Sequence, residues 1–393
     1  MPTPLPAFCM TGARTLRDGA LVDAPICVAD GLLVETVQPQ LDLSGYLLLP
    51  GIIDLHGDAF EHHMAPRPSA PFPFETGLLG TDRDAAANGV TTAWMAQSWS
   101  WEGGHRGPDY AEDFLAAHAA YRPRMQTDLR IQIRCETHTV DQQDRLIAAI
   151  RDHGIDYVIF NNHLDEALEL ARTNPEEIVF WARKSGRSAD AHMERVNAAR
   201  AQDKDVPRYL CNLAAAFDRM GVIYGSHDDH DAATRERYSM IGAKICEFPT
   251  SMKAAVVART WGDPILMGAP NVVRGGSQSG NIAASVLIAE GACDALVSDY
   301  YYPALAQAAF KLADNGVLPF AQAWEMISTR PAAIMGLKDR GALDVGKRAD
   351  LTIVNAETRQ IEATMAGGRW THLCGDMAGR VSAAAVHLPL AAE

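Results

Sequence analysis

Leu47-Leu48-Leu49-Pro50-Gly51-Ile52-Ile53-Asp54-Leu55-His56-Gly57-Asp58 is an apolar run that ends in an imidazole and a carboxylate two residues apart. Alternate residues of a strand point to the same side, so a strand ending this way offers two donors to one cation. An isolated H-x-D triplet arises often by chance and is usually an ordinary surface pair. Its position gives it meaning, because strand-like and helix-like patterns alternate from there onward.

The strand-like runs of the interior are Leu47 to Leu55, Thr91 to Met95, Leu129 to Cys135, Tyr157 to Phe160, Val222 to Tyr224, Ala243 to Cys246, Pro264 to Met267 and Ala295 to Val297. Between most of them apolar residues recur at three- and four-residue spacing, as in Gln142 to Asp152 and Leu164 to Arg172, which predicts helices. Eight such alternations in roughly 250 residues predict an α/β fold built on a (β/α)8 TIM-like barrel. The charged helical segment 176–210 reads as an insertion between strands, a lid or an oligomer contact. Short β-rich stretches before residue 50 and after residue 341 predict a small β-sandwich subdomain assembled from both termini. The expected division is therefore 1–50 plus 341–393 for the subdomain and 51–340 for the barrel.

Composition restricts the function classes. A chain of 393 residues with 48% hydrophobic content fills a large soluble enzyme, and no run approaches a membrane span. The N-terminus lacks a basic region leading into an apolar core, so a cytoplasmic location is expected. The net charge of −14 argues against a nucleic-acid surface, whereas a metal centre and local arginines still suit an anionic small molecule. Seven scattered cysteines without a C-x-x-C imply neither a disulfide framework nor a zinc finger and read mostly as buried thiols. Self-association into a homo-oligomer is expected of a large acidic barrel.

Barrels of this type carry chemistry at the C-terminal ends of their strands. Those ends hold His56 and Asp58, Glu136 and His138, His163, His227 to His230, and Asp299. These are oxygen and nitrogen donors suited to Zn²⁺ or a harder divalent ion. Each has a plainer reading: Glu136 as a partner of Arg134, His163 as a capping residue, Asp228 or Asp229 as the N-cap of the next helix. None of the seven lysines stands at a C-terminal strand end, so a carboxylated lysine is not expected and Glu136 becomes the natural bridging carboxylate. Two ions about 3.5 to 4 Å apart would activate a shared water and polarise the bond under attack. Asp299 is the candidate proton acceptor.

These residues resemble the amidohydrolase superfamily and, within it, the PhnM family of phosphonate catabolism. The segments that carry the resemblance are Leu49 to His56, His56-Gly57-Asp58 with Ala65-Pro66-Arg67-Pro68, Arg134-Cys135-Glu136, Ser226-His227-Asp228-Asp229, Glu247-Phe248-Pro249-Thr250, Met267 to Ser277, Ser298-Asp299-Tyr300, Asp339-Arg340-Gly341 and Gly346 to Leu351. The resemblance implies hydrolysis of the phosphoanhydride of α-D-ribose 1-methylphosphonate 5-triphosphate with release of pyrophosphate. It implies His56, Asp58, Glu136, His163, His227 and Asp299 as ligands of two divalent ions, Zn being expected and Mn, Fe or Ni suiting the same donors. His227 and Asp299 are the expected catalytic groups.

Arg67, Lys253 and Arg274 are candidate contacts to a phosphorylated substrate, with Gly275, Gly276 and Ser277 offering backbone amides beside Arg274. A plain tight turn is the alternative for the glycine pair. Two other hypotheses stand beside this one: attack on a C–N bond of a small cyclic substrate, as in amidases and deaminases, and a non-catalytic metal-binding scaffold. The chain departs from the family pattern at Ala96 to Arg106 and at Leu164-Asp165-Glu166, loops that shape substrate. Trp99 and Trp101 there could stack on a ring or simply pack. The superfamily draws its two single-His ligands from strands five and six, whereas this count puts them on strands four and five. A strand hidden near 180–210, or a false one earlier, would reconcile the two.

Overall fold

The computed structural model describes residues 6–385 except 68–69, 185 and 278–279. Pro68 of the resemblance and the last residues of the 341–393 portion lie outside the described residues. Eight parallel strands run in chain order: Ile52–Gly57, Val90–Trp99, Asp128–Glu136, Tyr157–Asn161, Ile223–His227, Ile245–Glu247, Ile265–Gly268 and Ala295–Val297. The eighth returns to the first just beyond its end. Asp58 N–H donates to Asp299 O at 2.7 Å, and Asp299 N–H donates to His56 O at 3.0 Å. Two expected ligand strands are thereby locked together at the top of a barrel.

The run Leu47 to Leu55 is two strands rather than one. Tyr46–Pro50 belongs to a sheet of the terminal layer, and Ile52–Gly57 opens the barrel. Gly51 sits at the break, where an added Cβ would lie 2.4 Å from Thr91 Oγ1 of the second barrel strand. Only a glycine lets the chain pass that close while it changes sheets.

The terminal layer is a pair of sheets. A six-stranded sheet has the order Arg369–Leu373, Ile361–Ala366, Leu351–Asn355, Tyr46–Pro50, Arg14–Arg17 and Ala20–Val22. A four-stranded sheet has the order Leu32–Val34, Ile26–Ala29, Phe8–Thr11 and Gln40–Asp42. Met10, Ile26 and Val28 of the smaller sheet pack with Leu48, Ile353 and Met365 of the larger, giving a sandwich with its own apolar core. Cys9 and Cys27 face each other across the smaller sheet and are disulfide-bonded, which corrects the reading of the cysteines as unpaired. Cys135, Cys246 and Cys293 are buried thiols, and Cys211 and Cys374 are exposed.

Segment 176–210 contains no strand among the described residues. Its helices belong to Pro175–Lys184, Ala189–Arg200 and Val206–Met220, which stand between the fourth and fifth barrel strands. The strand count is therefore eight without a hidden member, and the sixth strand ends in Glu247 where a His was looked for. No described helix is long and apolar enough to cross a membrane.

Candidate metal centre

Three residues just past strand ends hold left-handed backbone conformations: Asp228, Phe248 and Asp299, with φ of 57°, 50° and 57°. Non-glycine residues rarely adopt this region, and such strain gathers where side chains must be aimed against the local preference. All three line one cavity of 300 Å³ at the top of the barrel, together with His56, Asp58, Arg134 and His227. Gly268, at the end of strand seven, keeps that cavity open, since a Cβ there would stand 3.3 Å from Asp299 Oδ2.

Glu247 organises the two imidazoles beneath the cavity. The side chain is fully buried. Its Oε1 accepts from Gln132 Nε2 at 3.0 Å and from the Tyr157 hydroxyl at 3.1 Å. Its Oε2 lies 2.8 Å from His227 Nδ1 and 2.9 Å from His56 Nδ1. Burial alone would raise this carboxyl, but the two imidazoles beside it hold it far below the ordinary carboxylate range. A charged Glu247 makes Nδ1 the protonated nitrogen of His227, leaving the Nε2 lone pair for the cavity side. That Nε2 lies 3.4 Å from Arg134 Nη2. Burial pushes His227 down, toward the neutral imidazole a cation requires.

His56 provides the fit test for a cation. Its contact with Glu247 is short but off the hydrogen-bond direction, so neither ring nitrogen has a hydrogen-bond partner although the ring is fully buried. A buried imidazole with two orphaned nitrogens costs stability unless something else binds it. Donor atoms of His56, His227 and Glu247 all lie within 4.8 Å of one another, close enough to share one ion. The residues present therefore fit a divalent cation.

Glu136 and His163 meet as expected, but in a second group. His163 Nδ1 is 2.5 Å from Glu136 Oε1, and the His163 backbone N–H donates to Oε2 at 3.1 Å. Burial raises Glu136, and the imidazolium opposite overturns this to hold it at about 2. The third member is Glu102, from the loop after strand two, which also pairs with Arg106 at 3.1 Å. Arg134 is poised between the groups. Its guanidinium is 3.7 Å from Asp58 Oδ2, and its positive charge acts on both Glu136 and His163. Asp299 is pushed up to about 6, by burial first and by the neighbouring Asp58 charge second.

Several expected contacts stand elsewhere. Arg67 and Lys253 are exposed and do not line the cavity. Arg274, Gly276 and Ser277 do line it. The amides of Gly275 and Gly276 both donate to Asn271 O at 3.0 Å, closing the short helix Ala269–Arg274, with Gly275 left-handed at φ 87°. The glycine pair is thus a helix C-cap, and those amides are already committed. Asp228 and Asp229 cap nothing: the N-cap is Asp231, which accepts from Thr234 N–H at 2.8 Å, while Asp229 is buried against Arg235. Trp99 and Trp101 are both buried.

Residues 142–371 match the amidohydrolase family. The chain is also 32% identical over 329 residues to the α-D-ribose 1-methylphosphonate 5-triphosphate diphosphatase of Escherichia coli (strain K12), covering 82% of this chain and 86% of that one. The chain belongs to the amidohydrolase family. It is an amidohydrolase-family enzyme that resembles that diphosphatase. Among solved structures, A. niger ochratoxinase matches at a TM-score of 0.64 with 11% identity, over 94% of this chain and 96% of that one. N-acetylglucosamine-6-phosphate deacetylase from Pasteurella multocida matches at 0.61 with 11% identity, over 93% and 99%. At that identity the two structures bear on the fold alone.

For this amidohydrolase, sequence reasoning missed Glu247, Glu102, Arg106 and Arg134 as parts of the site. Glu247 carried a signal, since it ends the sixth strand and lies in a segment that carries the family resemblance. Glu102 and Arg106 carried none, because they sit in the loop where the chain departs from the family pattern.

Proposed function

We propose that this amidohydrolase cleaves the phosphoanhydride of α-D-ribose 1-methylphosphonate 5-triphosphate, or a close analogue, releasing pyrophosphate. The observation that carries this reading is the 32% identity across 82% of the chain to an enzyme named for that reaction. The charge pattern of the cavity supports it, because Arg106, Arg134 and Arg274 line the same space as His56, Asp58, His227 and Asp299. Guanidinium forks suit phosphoryl oxygens, and donors for a cation suit the water that attacks.

His56, Asp58, His227 and Asp299 would hold one divalent ion, with Glu247 behind the imidazoles. Glu102, Glu136 and His163 would hold a second. Zn²⁺ suits this mixture of imidazole and carboxylate, as do Mn, Fe and Ni. When bound, the ions supply an activated water and neutralise charge on the group attacked. Asp299 takes the proton that the attacking water gives up, burial first and the closeness of Asp58 second raising its affinity for it. Arg134 orients the phosphoryl group from the side of Asp58. Glu247 holds the His227 ring in the tautomer that turns Nε2 to the cavity, and its charge lies beside His56.

The test is to incubate the metal-loaded protein with ribose 1-methylphosphonate 5-triphosphate and follow products by ³¹P NMR. Pyrophosphate and a 5-phosphate are expected. Absence of pyrophosphate, with ammonia or ring-opened product from a panel of cyclic amides, would replace this reading by C–N hydrolysis.

A further inference from the structure

Loop 100–107 is a wall with a cavity on each side. Arg106 faces the metal cavity, whereas Trp101, Gly103 and Gly104 face a second one of 320 Å³. The far side of this second cavity comes from the helical insertion and includes Arg187 and Arg195. Arg187 donates to Glu102 O, and Arg195 Nη1 reaches Trp101 O at 3.5 Å, so consecutive carbonyls pin two guanidiniums to the loop. Carbonyls hold these groups in place without cancelling their charge.

No carboxylate forms an ion pair with Arg187 or Arg195 among the described residues. The acidic side chains on the cavity wall are Asp109, which Arg145 holds at 2.6 Å, and Asp141, which accepts from Gln142. Arg187 is destabilised as a cation by burial and by the Arg195 charge, which the charge of nearby Glu102 offsets only in part. Its Nη1 is buried without a partner, as is the indole Nε1 of Trp101 on the same wall. Gly103, left-handed at φ 67°, makes room for it, since a Cβ there would lie 2.4 Å from Arg187 Nη2. Two adjacent guanidiniums without an ion-pair partner, Arg187 half-buried and Arg195 exposed to the opening, together with the orphaned Arg187 Nη1 and Trp101 Nε1, are a donor set open to an acceptor in a chain of net charge −14.

We propose that this second cavity is an oxyanion site of the phosphate class, held by Arg187 and Arg195 with Trp101 Nε1 as a neutral donor, and separate from the metal cavity. Planar forks that can engage two phosphoryl oxygens at once favour phosphate or phosphonate over neutral ligands. The ligand is either a remote phosphoryl or phosphonyl group of the substrate or free inorganic phosphate. The inference stands on the cavity itself and not on the reaction proposed above.

The test titrates inorganic phosphate into the metal-loaded full chain by calorimetry, comparing the unmodified protein with R187Q/R195Q and with R274Q. The double variant is expected to lose a saturable binding event, weakening it at least about tenfold, while R274Q keeps it. In the unmodified protein, phosphate is expected to protect Arg187 and Arg195 from phenylglyoxal, read by peptide mass, and this arm needs no variant to fold. Unchanged phosphate affinity in a folded double variant, or no protection of the two arginines, overturns the proposal. Kinetics then separate the sources. A higher KM for the phosphorylated substrate at unchanged kcat marks a substrate group, whereas an unchanged KM with lost sensitivity of rate to added phosphate marks the free anion. If the chain proves not to cleave the triphosphate, the calorimetry and footprint still decide the site.

Discussion

Asp128, at the start of the third barrel strand, and Asp299, just past the end of the eighth, are carboxylates of one barrel pushed in opposite directions. Burial would raise Asp128, but the guanidiniums of Arg130 and Arg340 outweigh it and hold the group below its ordinary value. Asp299 is buried beside Asp58 and rises to about 6. Around Asp128 the pairing is closed. Arg340 reaches it at 2.7 Å, bonds Thr92 Oγ1 at 2.9 Å and pairs with Asp339, while Arg130 links it to Asp156. Around Asp299, two His56 nitrogens and Arg134 Nε are left without hydrogen-bond partners. A barrel that satisfies its charges at one end and leaves donors open at the other marks where a ligand completes the structure.

The sharpest way to break that contrast is at the open end. Asp299→Asn and His227→Ala are each expected to lower kcat for pyrophosphate release about a thousandfold, with thermal unfolding little changed. A melting temperature that falls along with activity would instead make these residues structural. At the closed end the expectation reverses. Arg340→Met removes a guanidinium only 8% exposed together with its hydrogen bonds to Asp128 and Thr92, leaving Asp128 to Arg130 and Arg348 and costing roughly 2 kcal/mol of stability in urea unfolding, with kcat unchanged below the transition. Lost catalysis without lost stability would remove the distinction between the ends.

Glu247→Gln sharpens the contrast, because it keeps the shape while removing the charge that orients the His227 imidazole and lies 2.9 Å from His56 Nδ1. Metal affinity is expected to fall about 10- to 100-fold in a chelator competition, and excess metal should recover activity. An unaltered affinity would show that the rings need no orienting carboxylate. The smallest effect concerns acid. Since the folded value of Asp128 is depressed, its contribution is fully present above the unfolded value of about 3.9 and is lost as pH falls through the folded one. Asp128→Asn should therefore flatten the loss of stability below about pH 4 and leave the profile near neutrality parallel to the parent.

The eight strands were legible because each buried strand of a parallel sheet is a short apolar run bounded by turn residues, and the alternation with helices fixes the connection type. His56, Asp58, His227 and Asp299 were legible for the same reason, since a strand end names its own position in a barrel. Other features were not. The break at Gly51 depends on Thr91, forty residues away, and the C-cap role of Gly275 and Gly276 depends on a helix of six residues too short to show periodicity. Arg67 and Lys253 carry suitable charge in suitable segments, yet both are exposed outside the cavity.

The sequence by itself determined the barrel, the terminal sandwich and the strand-end donors, because these follow from local periodicity and from the rule that alternate residues share a face. Only the tertiary structure decided how the donors group. It set His56 and His227 on Glu247, placed Glu136 and His163 with Glu102, and brought Arg187 of the insertion against the loop that carries Glu102. Those partners come from different strands and from loops without periodic pattern. Their meeting depends on closure of the barrel and on packing of the inserted helices, which no single stretch of sequence encodes.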